Sequence, residues 1–558
     1  MSKKITTTGT ALSLAVAAAV IGMASSAQAN EMRWNGYVEN ATYHREGTGL
    51  SKFRNTAQAT FSKDFDSQGD WNLSMRGVLR GSYDGVYDLN KGEFGKNAQE
   101  SYLGANWHGQ DTSTAILAPG VPFPCENDPT LCRNLDGYMD HKERDAKFPE
   151  FNSKADFLRE FYVDAVKDLD SGGQLAFRVG RQQVVWGKTD LFRVLDVLNP
   201  VDYSRHNIYD ELEDIRIPQW MINAEWRMGP TSVFDDSNLS LVWNVDKFRP
   251  NNLGTCGQSY RILDAGCFFS SRVMGLDQIP GAAFGGTNPY SASGVPIIHS
   301  VDEPSWALKN TQLGVKWEGV YKDLTFSLNA LTYRQQLPSL HFRELAPGVP
   351  LPATDGVFDI KFPRVNLVGG SVDYYAAGID SILRLETTYT KGEELPRDQN
   401  GHKETDMFRY VLGVDKNQMI PWLNPRRAFL ISAQVFGEHI LDHESDMPNF
   451  KDNWTGTLLF KGWWMNDRLS PQIVMAHDFR ADASVFAPSV EWLANDQLKF
   501  TLGANIKRGG KERFPWSVAE GLAGDSSGQT EPLARFTNGP IGVANKENEI
   551  QFTVRYNF

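Results

Sequence analysis

The chain has 558 residues, with 56 Lys and Arg against 68 Asp and Glu and a formal net charge of −12. That acidic balance argues against nucleic-acid binding, which needs a basic footprint. Beyond residue 30 no apolar run reaches the roughly 18 residues of a spanning helix, so helical membrane proteins are excluded.

At the amino end, Lys3 and Lys4 precede a small, apolar stretch from Ala11 to Met23, and Ala27-Gln28-Ala29 supplies an A-x-A cleavage site. These are the parts of a secretory signal peptide spanning 1–29, so the mature chain is expected to start near Asn30. No Cys follows the cleavage site, which argues against a lipoprotein.

Past the leader, segments of period two recur, near 36–44 and 53–63 and then at Trp71, Leu73, Met75, Gly77 and Leu79. One oily and one polar face is the mark of a β-strand at an apolar boundary. A long polar segment at 84–153 follows. It holds Cys125 and Cys132, and a second pair, Cys256 and Cys267, lies in a similar Pro-, Gly- and Asn-rich stretch. In an oxidising compartment each pair is expected to form a local disulfide, stabilising its loop by roughly 2–3 kcal/mol. The acidic cluster Asp136, Asp140, Glu143 and Asp145 suggests calcium bridging to lipopolysaccharide, although it lacks the spacing of a calcium loop.

Phe157, Phe161, Val163 and Ala165, then Asp170-Ser171-Gly172-Gly173, then Leu175, Phe177 and Val179 read as a hairpin. It runs into Arg178-Val179-Gly180-Arg181-Gln182-Gln183-Val184-Val185-Trp186-Gly187, and onward to Asn199-Pro200-Val201-Asp202. If Phe177 and Val179 face lipid, Arg178 and either Arg181 or Gln182 point inward. The mixed-charge stretch 187–217 carries Asp190, Arg193, Asp196, Asp202, Arg205 and Arg216. It is a candidate lumen constriction or plug, where inward charges would sort solutes by sign. The plain alternative is an exposed loop of paired charges.

Further alternating runs follow at Trp220–Met228, Leu239–Val245, Leu313–Trp317, Leu324–Leu328 and near 366–377, 381–390, 407–415, 427–437, 455–465, 470–480, 485–493 and 497–507. Long polar segments at 248–308, 337–364 and 508–547 separate them and read as loops. His439 and His443 are four apart among acidic residues, but a solvated turn after the strand Phe429–Phe436 is the better reading than a metal site. The chain ends Ile550-Gln551-Phe552-Thr553-Val554-Arg555-Tyr556-Asn557-Phe558, a strand with one lipid-facing and one lumen-facing side.

Together the runs predict one all-β domain over 30–558, a transmembrane antiparallel β-barrel of 16 strands, with 18 as the alternative. The mean hydropathy of −0.40 fits such a fold, whose faces alternate and whose loops are polar. So does the 12% aromatic content, which interface girdles would use. The expected location is the cell outer membrane, in contact with lipid and lipopolysaccharide.

The "GRQ…WG" strand and the "NP-x-D" loop resemble those of a large family of proteobacterial outer-membrane barrels catalogued as a domain of unknown function. The resemblance implies a trans-envelope conduit for hydrophobic or amphiphilic cargo, working with a periplasmic partner and an exporter of the resistance–nodulation–division (RND) class. The last strand resembles the signal read by barrel-assembly machinery, carried by Phe552, Val554, Tyr556 and Phe558. A stand-alone, porin-like uptake channel fits the residues equally. No nucleophile elbow, Walker loop or zincin helix occurs, so an outer-membrane hydrolase is a minor alternative, as is an adhesin or structural barrel. No cofactor or metal is expected.

Overall fold

The computed structural model describes residues 31–65, 69–94, 143–170, 172–189, 192–205, 212–252, 258–260, 297–343, 357–397, 401–445, 447, 449–480, 482–509 and 548–558. The leader, the four Cys residues, Asp136, Asp140 and Asp190 lie outside them.

The alternating runs become strands. β1 (Arg33–Arg45), β2 (Gly49–Asp64), β3 (Trp71–Asp84), β4 (Leu158–Asp168), β5 (Gln174–Gln182), β6 (Gln219–Arg227) and β7 (Asp236–Asn244) form the first part of the wall. After β8 (Ile297–Asp302), the wall resumes with β9 (Gln312–Tyr321) and β10 (Leu324–Arg334). Then come β11 (Ser339–Arg343), β12 (Val357–Lys361), β13 (Arg364–Ala376), β14 (Ser381–Arg397), β15 (Gly401–Ile420) and β16 (Asn424–Ile440). The last five are β17 (Asp452–Lys461), β18 (Leu469–Asp478), β19 (Ala483–Leu493), β20 (Leu498–Gly509) and β21 (Glu549–Asn557).

All but β8, β11 and β12 belong to one 18-stranded antiparallel sheet. β1 pairs with β2 on one side and with β21 on the other, so the sheet closes on itself and has no edge. The wall thus has the alternative count of 18 and not 16. Every two-faced run needs lipid for its oily side, so none can be spared from the wall.

Along β14 from Leu383 onward the two faces separate. Leu383 and Leu385 are exposed outward, while Glu386, Thr388 and Thr390 are buried. β21 behaves alike: Ile550, Phe552 and Tyr556 are exposed, and Arg555 pairs with Glu39 of β1 at 2.6 Å. Val163, Val179, Trp220, Leu241, Val315, Leu412 and Leu502 continue the exposed apolar band around the wall. An apolar belt of that extent around a closed barrel has acyl chains as its solvent, and the protein is a barrel of the outer membrane. No described helix is long and apolar enough to cross a membrane.

Both ends of the described chain lie at one rim of the barrel, with short turns such as Lys322-Asp323 and 377–380. The long connections leave from the opposite rim, which in outer-membrane barrels is the outer one. Two of them are not loops throughout, contrary to expectation. β8 from the 248–308 segment and β11 and β12 from 337–364 form a separate three-stranded sheet, with β8 parallel to β12. These strands are five or six residues long, and a parallel pairing across some sixty residues leaves no local signal. Short helices α1 (Val86–Leu89), α2 (Glu143–Lys147) and α3 (Leu212–Ile215) and a 3-10 turn at Leu308–Asn310 complete the described elements.

Candidate functional site: a segment that crosses the lumen

The connection from β5 to β6 folds into the barrel. β5 stays paired with β6 through Gln182, and near its end Gly180 has a φ of +145° that suits glycine alone, where a Cβ would lie 2.2 Å from the Phe161 carbonyl oxygen. Strict alternation ends there. Arg181 and Gln182 are therefore both buried, where period two would bury one of them. Gln182 Nε2 donates to the Met221 carbonyl at 3.0 Å, and Arg181 pairs with Asp156, which also binds Arg249 through two 2.8 Å hydrogen bonds.

Asn199, fully buried, ties the two ends of the segment together. Its Oδ1 accepts the Val184 N–H at 2.9 Å and its Nδ2 donates to the Ile217 carbonyl at 2.9 Å. Above this clamp Val184, Trp186, Leu195 and Leu198 pack against Met221, Val242, Leu331, Tyr333, Val365 and Leu367 of the inner wall. Gly314 on β9 makes room: a Cβ there would stand 2.4 Å from the Trp186 ring. These side chains form one buried apolar cluster between the segment and the inner wall.

Farther on, the Lys188 N–H donates to Glu386 of β14 and its ammonium to Asp373 of β13. Phe192 meets Phe436 edge-on at 5.1 Å, and Val194 packs with Val411. Asp196 accepts from Arg216 Nε at 2.7 Å with both side chains buried, which folds the segment back on itself. Arg193 donates to the Asn199 carbonyl at 3.0 Å. Asp202 accepts the Ser204 N–H at 3.0 Å and hydroxyl at 2.6 Å, shaping the turn.

The far end reaches the opposite wall. Arg205 pairs with Glu150 at 2.7 Å and donates to the Ser82 hydroxyl of β3 at 2.9 Å, while Arg54 of β2 donates to the Arg205 carbonyl at 3.0 Å. Arg80 of β3 pairs with Asp214 at 2.8 Å. β14 lies half-way round the 18-strand wall from β2, so the segment spans the barrel along a diameter.

Two cavities flank the far end. One, of about 290 Å³, opens along β1–β3 and β18–β21. The other, of about 270 Å³, lies among Glu150, Asp156, Asp202 and Arg249. Both are lined by Arg54, Arg80, Arg205 and Asp214, which therefore form the septum between them. Burial would raise the Glu150 carboxyl, but Arg205, the Ser82 hydroxyl, Arg54 and Arg80 outweigh it and hold it down at about 2. Asp156 is likewise held below the usual carboxylate range: burial opposes, and the Arg249 and Asn152 hydrogen bonds and the Arg181 charge prevail.

Of the residues singled out in the sequence, Arg193, Asp196, Asp202, Arg205 and Arg216 all belong to this crossing segment, and Arg205 reaches the septum. Arg181 sits at its root. Arg178 does not join them: it faces inward but pairs with Asp164 across β4 at 2.7 Å, on the Tyr162 ring. Asp214 lies in the mixed-charge stretch already singled out, whereas sequence reasoning missed Arg54, Arg80 and Glu150, whose period-two or loop positions carry no mark of the partner opposite. His439 and His443 do not converge. His439 lies within β16, which runs on to Ile440 instead of turning, and bonds Asp452 at 2.6 Å, while His443 bonds the Asn449 carbonyl at 2.8 Å.

Residues 21–558 match the family described as "Protein of unknown function (DUF1302)". No curated protein matches the sequence. Among solved structures, the chain is similar to Acinetobacter baumannii OccAB3, with 7% identity over 95% of this chain and 99% of that one and a TM-score of 0.41. Pseudomonas aeruginosa OpdK, solved with vanillate, is 8% identical over 95% and 98%, with a TM-score of 0.38. An OmpT loop-deletion mutant, from an outer-membrane protein of Vibrio cholerae, is 6% identical over 95% and 100%, with a TM-score of 0.35.

Proposed function

The chain belongs to the DUF1302 family, and we propose that it is a conduit for small polar solutes across the outer membrane, narrowed by the described parts of the β5–β6 connection, 183–189, 192–205 and 212–217. The observation that carries this reading is the septum: Arg54, Arg80, Arg205 and Asp214 stand between two cavities of about 270 and 290 Å³ and pair with one another or with the wall. With Arg159, whose guanidinium donates to the Asp214 and Arg216 carbonyls, four arginines face three acids, Asp84, Glu150 and Asp214. A lumen lining with a cationic surplus favours anions over cations. The protein on this reading moves solutes and catalyses nothing.

A second reading makes the barrel the outer-membrane part of a trans-envelope system, with a periplasmic partner, an RND-type transporter and hydrophobic or amphiphilic cargo. In its favour, the motifs that carry the family resemblance, Gly180-Arg181-Gln182 through Trp186 and Asn199-Pro200, build the lumen segment itself. The two readings separate by experiment. Purified protein in planar bilayers is expected to pass current with a reversal potential on the anion side under a salt gradient, and to leave detergent extracts without an inner-membrane transporter. Absent current together with a co-purifying transporter overturns the first reading and favours the second.

A further inference from the structure

At the outer rim, three side chains from three strands converge. His341 of β11, Glu394 of β14 and His402 of β15 place one ligand atom each within 4.8 Å of one another. His341 Nε2 lies 2.6 Å from Glu394 Oε2, and His402 Nε2 lies 3.9 Å from Glu394 Oε1. The two imidazoles stack with centroids 3.6 Å apart and 29° between planes, so both Nε2 atoms address the same carboxylate. We propose that this triad is a binding site for a divalent first-row transition metal, zinc in the first instance, which clips the small β8–β11–β12 sheet to the barrel wall.

Two imidazole nitrogens and a carboxylate oxygen form a donor set suited to zinc and its neighbours, and unsuited to magnesium or calcium, which take oxygen. Donors each about 2.0–2.1 Å from one tetrahedral ion stand roughly 3.3–3.4 Å apart. The two imidazole–carboxylate separations, 2.6 and 3.9 Å, bracket that value, and all three ligand atoms lie within 4.8 Å of one another, so small side-chain rotations bring the set around one ion.

The surroundings hold the ligands in place. The Glu394 N–H donates to Gln335 Oε1 at 2.9 Å, and Gln335 Nε2 donates to the Glu394 carbonyl at 3.2 Å. Leu395, Met407, Ile440 and Met447 form an apolar cluster beside it. The nearby cations Arg397 and Lys403 both pair with Glu444. With three protein ligands, one tetrahedral position stays open to water or an external ligand.

The test is calorimetric titration of zinc chloride into the full, untagged protein in detergent, with magnesium chloride as the comparison. One zinc per chain is expected, with no heat from magnesium. Affinity is expected to fall at least tenfold in His341→Ala, His402→Ala and Glu394→Gln, each checked for a native β-sheet circular dichroism spectrum, and to be unchanged in His443→Ala. The X-ray absorption spectrum of zinc on the unaltered protein is expected to show two imidazole nitrogens. No stoichiometric zinc, equal binding by His341→Ala and His402→Ala, or a spectrum without imidazole would overturn the proposal.

Discussion

Cutting the link between Glu150 and Arg205 is the sharpest test of the crossing segment. Their side chains are 3% and 13% exposed, so neither Glu150→Gln nor Arg205→Met leaves a charge that water can rescue. Removing one partner of such a buried pair costs about 3–5 kcal/mol. Glu150→Gln should fall at the lower end, because the position keeps its contacts with the Ser82 N–H, at 3.0 Å, and hydroxyl, at 2.6 Å. At about 1.4 kcal/mol per tenfold, a loss near 3 kcal/mol raises the time that Arg205 spends away from β3 by roughly 100-fold. Because Arg205 lines both cavities, detachment joins them, and single-channel recordings should show larger and more frequent excursions of current. Amide hydrogen exchange at 201–205 should speed up in parallel. The double variant, with neither charge buried, should be less perturbed than the sum of the singles. Current and exchange left unchanged in both singles would show that the segment is not held by this pair, and the septum argument would fall.

Acidity probes the same carboxylate. Its folded pKa near 2 lies below the ordinary 4.5, so its contribution is complete above about pH 4.5 and is lost as pH falls through 2. Channel noise should therefore stay flat from pH 7 to 4.5 and grow toward pH 2, and Glu150→Gln should lose that rise. Asn199→Ala orphans the Val184 N–H and the Ile217 carbonyl, a cost of about 2–4 kcal/mol at roughly 1–2 kcal/mol each, read as faster exchange at residue 184 with the barrel still formed. Gly180→Ala forces a side chain onto the Phe161 carbonyl at a backbone angle that costs about 1–3 kcal/mol by itself. A lowered thermal midpoint should show it, and an unchanged one would refute the strain.

Much of the wall was legible because a strand at a lipid boundary writes its environment into every second residue. β20 is the plainest case: Leu498, Phe500, Leu502, Ala504 and Ile506 alternate in the chain, Leu502 is exposed, and Asn505 and Lys507 are buried inside. The motif around Gly180 and Asn199 was visible as a pattern, but its reason was not. Asn199 matters because Val184 and Ile217 are brought to either side of it, and the chain between them says nothing of that meeting. Arg178 and Arg181 looked alike in sequence, yet a single positive φ between them sends one to the wall and the other to the root of the segment.

Local alternation alone thus determined that this chain is a barrel with its oily faces outward, since each strand meets lipid independently of the others. Closure at 18 strands, the wall contacts of Lys188 and Arg205 on opposite sides of the lumen, the Arg205–Glu150 pair among them, and the meeting of His341, Glu394 and His402 were decided by tertiary structure. They join residues far apart in the chain, 151 for Arg54 and Arg205, 198 for Lys188 and Glu386 and 516 for Glu39 and Arg555, and no periodicity records a contact across empty space.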